Sequence, residues 1–150
     1  MAFAHNCHIT HVSNSGIVNG AKNSVGGVAG YLDNSSVHSS LNTNWIAGTA
    51  LNSGAIVGFN DNNSRVDTCF FDNQMCILDG VGTNMGTVGF VVLGLPTVNM
   101  LGDNLQNFLR SVACFWNFQP NLYPVSDCEY TSNNFTRCGT DIPAKWGKSG

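Results

Sequence analysis

Short apolar runs broken by Asn, Asp, Gly and Ser set the pattern of the first 95 residues. Segments such as SVGGVAGY (residues 24–31), SSVHSSL (35–41) and NWIAGTAL (44–51) read as strand, turn, strand, with no helical periodicity. A small residue followed by an aromatic one recurs as Ala2-Phe3, Gly30-Tyr31, Gly58-Phe59 and Gly89-Phe90, at spacings of 28, 28 and 31 residues. Around the middle two copies, GGVAGYLDNSS (26–36) aligns with GAIVGFNDNNS (54–64). Asn6, Asn34 and Asn62 share one column of that alignment, and Asp33 and Asp61 another.

A period near 28 falls in the range of solenoid repeats and is too short for a propeller blade of about 40 residues. A coil of short strands cannot bury its own apolar side, so it must rest on its neighbours. The expected fold is therefore all-β: a short parallel β-helix of three to four coils over residues 1–95, its coils ~4.8 Å apart. Phe3, Tyr31, Phe59 and Phe90 would form one stacking column.

The pattern changes after Leu95. Val98, Leu101, Leu105, Phe108 and Leu109 lie at helical spacing, which predicts one helix over 97–110 with Thr97 or Asn99 as its N-cap. That helix, laid across the last coil, would cover its apolar end. CFWNF (114–118) and LYPV (122–125) read as a strand pair completing a cap over residues 96–125. Residues 126–150 form a polar tail anchored by Trp146.

Composition narrows the chemistry. The chain carries 20 Asn and 17 Gly, and only 10% of it is charged; a typical soluble protein has about 25%. Asn and Gly suit stacked turns, where they supply left-handed corners and side-chain hydrogen bonds. A net charge of −3 with scattered Lys and Arg leaves no basic footprint, which argues against a nucleic-acid partner. No apolar run approaches the roughly 20 residues of a bilayer crossing, so no membrane insertion is expected.

Six cysteines (Cys7, Cys69, Cys76, Cys114, Cys128, Cys138) form an even set, which favours disulfides in an oxidising compartment. Cys69–Cys76 and Cys128–Cys138 would close local loops. Cys7 and Cys114 would pair with each other, or Cys7 would link to another chain. Sequons at Asn34, Asn62 and Asn134 point to the same compartment and allow N-linked glycans, with Asn34 and Asn62 leaving one face from adjacent coils. The N-terminus has neither a basic nor an apolar signal region, so the expectation is a mature or excised extracellular segment.

Candidate sites each have a plainer structural explanation. His5, His8 and His11 lie three apart, but on a strand that spacing points to opposite faces, which favours surface or turn roles over a metal site. The aromatic column could bind glycans, although a packing ladder is the simpler reading. Asp33 and Asp61 beside Asn34 and Asn62 could hold calcium, yet a turn ladder needs no ion. No nucleophile elbow, phosphate loop or zinc-peptidase motif occurs, so neither catalytic residues nor a cofactor are expected.

VGGVAGYLDNSSV and GAIVGFNDNNSRV resemble the GLUG motif, in which a Gly-Gly-hydrophobic-hydrophobic-Gly strand leads to an Asn-rich turn. CFFDNQ (69–74) is similar to the segment that closes the last repeat of such arrays. Thr97-x-x-Met100, Trp116 and Tyr123-Pro124 match the cap that follows, so the likeness covers about residues 1–125. It implies a β-solenoid of a surface protein. GLUG repeats also occur in non-catalytic parts of immunoglobulin-A-cleaving metallopeptidases, but no peptidase activity carries over without His-Glu-x-x-His. Six cysteines and brevity depart from the family pattern.

Ala2-Phe3 already matches the repeat, with no cap ahead of it, so that end was either cut from a longer array or serves association. The expected function is an extracellular structural subunit stacking head-to-tail on copies of itself into a fibre or surface layer. The alternatives are a glycan- or matrix-binding adhesin module and, least supported by this low charge, a polysaccharide-processing enzyme.

Overall fold

A computed structural model describes residues 2–21, 23–48, 51–89, 91–109 and 115–126. Its first layer comprises β1 (Phe3–His5), β2 (His8–Thr10), β3 (Ser13–Asn14), β4 (Val18–Gly20) and β5 (Ser24–Gly26). The second is β6 (Ala29–Asp33), β7 (Ser36–His38), β8 (Leu41–Asn42), β9 (Ile46–Gly48) and β10 (Asn52–Gly54). A third, shorter layer holds β11 (Val57–Asn60), β12 (Arg65–Asp67) and β13 (Cys69–Asp72), and a fourth β14 (Val81–Asn84), β15 (Thr87–Val88) and β16 (Val92–Leu95).

All pairing between layers is parallel and joins like positions. Three sheets run through all four layers, β1-β6-β11-β14, β2-β7-β12-β15 and β3-β8-β13-β16; β4-β9 and β5-β10 have two strands each. Phe3 pairs with Tyr31, Ile9 with Val37 and Ser13 with Leu41, each at the 28-residue interval read from the sequence.

Alternation along each strand decides what is buried. Leu32, Val37, Val57 and Val66 point inward and are fully buried, joined in one core by Ala29, Ile56 and Cys69. Asn42, also fully buried, accepts at 2.9 Å from the Asn14 amide in the layer before and donates to the Asn44 carbonyl. Corners between strands take left-handed backbone at Asn6 and Asn34 in one column, and at His11, Ser39 and Thr68 in the next. At the tight turns after β5 and β10 there is no room for a side chain. A Cβ on Gly26 would lie 2.1 Å from the Ala29 carbonyl oxygen, and one on Gly54 equally close to that of Val57.

Three expectations change. The column after Phe59 continues in Thr83, 24 residues on, and not in Phe90, which lies outside the described residues. The third layer lacks counterparts of β9 and β10 because Asp72 folds the chain back early. Its carboxylate accepts from the Gln74 and Met75 amides at 2.9 and 3.1 Å, and its carbonyl from that of Cys76.

The single helix is two, α1 (Thr97–Met100) and α2 (Asp103–Leu109), broken where Leu101 is extended and Gly102 is left-handed. Pro96 takes the N-cap position without a side-chain cap, and the Thr97 amide donates to Gln74 Oε1 instead.

The cap also lies elsewhere. Met100, Leu105, Leu109 and Trp116 form a second core with Leu41, Phe70 and Leu95 of the third sheet. Phe70 belongs to this second core while its neighbours Cys69 and Phe71 belong to the first, so the helices cover the outer face of β8, β13 and β16. An expected strand pair completes this flank: β17 (Trp116–Asn117) pairs antiparallel with β18 (Val125–Ser126).

Candidate functional site

The outer face of the first sheet carries the aromatic column. Along β6, Leu32 is buried while Tyr31 and Asp33 reach the surface. The rings of Phe3 and Tyr31 stack 5.4 Å apart, and those of Tyr31 and Phe59 4.9 Å apart, almost parallel at 3°. Each ring covers its neighbour's face, so sugar stacking would be confined to the ends of the ladder; Phe3 remains 57% exposed.

Polar groups flank the rings. The Tyr31 hydroxyl donates to Asp61 Oδ2 at 2.7 Å, and His5 Nδ1 lies 2.7 Å from Asp33 Oδ2. That hydrogen bond raises the Tyr31 pKa. It lowers the Asp61 pKa in turn, helped by the Asn62 amide. The Asn34 amide donates to Asn6 Oδ1, so those two form a ladder; Asn62 leaves the expected column, because the interval grows from 28 at Asn60↔Leu32 to 29 at Arg65↔Ser36. Asn34 and Asn62 are exposed; Asn134 lies outside the described residues.

The three histidines separate. His5 joins Asp33, His8 meets Ser36 Oγ at 2.6 Å, and His11 turns toward the flank, its ring 4.1 Å from that of Phe115. Burial and the neighbouring His38 hold the His11 pKa below its ordinary value. Among the described residues no group of three His, Cys, Asp or Glu side chains could hold a metal ion. No helix among them is long and apolar enough to cross a membrane.

Cys7, Cys69 and Cys76 are free thiols, so the expected Cys69–Cys76 bridge is absent from the structure. Both of those cysteines pack in the main core as small apolar groups. The Cys69 thiol donates to the Asp67 carbonyl at 3.2 Å, and burial pushes its pKa up to about 12. Cys114, Cys128 and Cys138 lie outside the described residues.

Two features were missed by sequence reasoning. One is the flank, fixed by the Tyr123 hydroxyl donating at 2.6 Å to the buried Asp72 carboxylate. Burial, then that bond and its charge, push the Tyr123 pKa up to about 12.

The other is the edge formed by β14, β15 and β16. Val88 continues the inward column of Val37 and Val66, yet it is 40% exposed where they are 0%. Residues 80–95 contain no Asp, Glu, Lys, Arg or Pro before Pro96. That edge thus lacks the charges and prolines that usually keep edge strands from pairing.

No protein-family model, no curated protein and no solved structure matches this chain.

Proposed function

We propose that this chain is a non-catalytic structural module, a short β-helix that stacks coil-on-coil with copies of itself into an extracellular fibre or surface layer. The carrying observation is the Val66–Val88 column: a rung fully buried in the third layer is half open in the fourth. Val81 and Val92, also only partly buried against the main core, belong to that open layer. The chain leaves it at Leu95-Pro96 toward the flank, not across the end. Burying that surface requires strands of matching direction and spacing, which another coil of the same kind supplies.

Affiliation with GLUG-repeat surface proteins fits this reading through the glycine turns at Gly26 and Gly54. The exposed sequons Asn34 and Asn62 support an extracellular setting, with glycans leaving beside the aromatic ladder. The reading requires no cofactor, and stacked rings hiding one another's faces favour packing over glycan capture.

Electron microscopy of the purified full chain over rising concentration tests the proposal. Filaments one stack wide are the expected result. Monodisperse single chains at every concentration would overturn it.

A further inference from the structure

We infer that the contact between copies has a defined register, in which β14, β15 and β16 of one copy receive β1, β2 and β3 of the next. The inference rests on the self-stacking reading above and names its interface.

Existing hydrogen bonds give the rule. Within a parallel strand, successive residues turn their backbone groups alternately toward the two neighbouring strands. Across the second sheet, the Cys7 carbonyl accepts from the Ser36 amide and the His11 amide donates to the His38 carbonyl, so Cys7, Ile9 and His11 face the second layer. His8 and Thr10 therefore turn their amides to the free side. On β15, the Thr87 and Gly89 amides donate to the carbonyls of Ser64 and Val66, which leaves Val88 facing outward from the fourth layer.

Thr10 shares its column with His38 and Asp67, and Ile9 shares its own with Val37, Val66 and Val88. Continuing both by one step, the Thr10 amide of a second copy donates to the Val88 carbonyl. The Val88 amide donates in turn to the second copy's His8 carbonyl, and Ile9 settles on Val88.

The same step works on the flanking sheets. The Tyr31 amide donates to the Ala2 carbonyl in the first sheet, so Phe3 of the second copy would donate to Gly82. Leu41 donates to Val12 and Phe70 to Ser40 in the third, so Ser13 of the second copy would donate to Val92. Three strands dock in one register, without rearrangement of either edge. The uncharged run 80–95 removes the repulsion that would oppose it. The interface is heterologous, so it propagates instead of closing.

Proline at a free-edge amide removes a donor to the incoming copy without breaking a bond inside the chain. Thr10→Pro should disable one edge and Val88→Pro the other. Each full-length variant, checked for unchanged circular dichroism and thermal midpoint, should sediment as a single 16.0 kDa chain. An equimolar mixture should sediment at twice that mass, because each variant keeps the edge the other lacks.

If either folded variant alone assembles like the unmodified chain, or the mixture stays monomeric, the register is wrong while self-stacking stands. If the unmodified chain is itself monomeric at every concentration, the stacking proposal falls as well. Should a proline variant lose its fold, Thr10→Lys and Val88→Lys place a charge at the same edges and are read in the same way.

Discussion

Tyr31 hydrogen-bonds Asp61 from the following layer at 2.7 Å while its ring lies flat on Phe59, 4.9 Å away. One side chain thus joins two layers through two kinds of contact. Because Asp61 has a lowered pKa in the folded chain, its contribution is present above its ordinary value of 3.8 and lost as pH falls through the folded value. Tyr31, raised by the same bond, contributes below 10.0 and loses that contribution as pH rises above it. Thermal midpoints measured against pH should fall less steeply at the acid end for Asp61→Asn than for the unmodified chain. Tyr31→Phe should flatten the acid limb only in part, because the Asn62 amide still holds the Asp61 pKa down, and should cost less at neutral pH than Tyr31→Ala, which also removes the stack. Identical acid limbs in all of these would contradict the assignment.

Backbone crowding at Gly54 makes a second prediction. A Cβ there meets the Val57 carbonyl oxygen at 2.1 Å and the Gly82 amide at 2.6 Å, both fixed by the ladder. Gly54→Ala should cost about 2–4 kcal/mol in urea denaturation. At Gly16 the nearest atom is a side-chain oxygen at 3.7 Å, so Gly16→Ala should stay within about 0.5 kcal/mol.

Thiol chemistry separates the cysteines. Cys69 and Cys76 are buried, and the Cys69 thiol is pushed up to about 12, so neither should react with iodoacetamide in the native chain at pH 8. Among the described cysteines Cys7 is the one only partly buried, and it should react before Cys69 and Cys76. Unfolding without a reductant should make Cys69 and Cys76 reactive. Mass spectrometry showing both still blocked until reduction would mean that they are bridged.

On the flank, Phe70 joins the sheet to the helices, its ring 5.9 Å from that of Phe108. Phe70→Ala should cost about 3–5 kcal/mol, as full truncation of a buried aromatic does. The Tyr123 pKa is raised to about 12 in the folded chain, so its contribution is intact below 10.0 and is lost between 10.0 and about 12. Alkaline titration followed by ultraviolet absorbance should show one tyrosine fewer ionising above 10.0 in Tyr123→Phe than in the unmodified chain, with Tyr31 still titrating there.

The 28-residue register was legible because each of the first three layers puts an aromatic residue at the same outward position, Phe3, Tyr31 and Phe59. It failed at the fourth because Thr83 occupies that position, while Gly89-Phe90 imitates the motif a few residues later. The early return that moves the register depends on the carboxylate of Asp72, and CFFDNQ, which resembles a closing segment, does not announce the two dropped strands or the fourth layer that follows. The helix break at Gly102 was hidden by an apolar spacing that runs on through Leu101 and Leu105. Alternation places Leu41 and Phe70 on the outer face of the third sheet. Their burial there comes from the flank, a tertiary contact that strand periodicity does not encode. Cys69 and Cys76 looked like a bridge because they are near in sequence, whereas both serve as core packing.

Diffraction from oriented filaments of the full chain tests the central claim most directly. If coils continue from one copy into the next, a reflection near ~4.8 Å lies along the filament axis. That spacing across the axis, or no filament at any concentration, would contradict it.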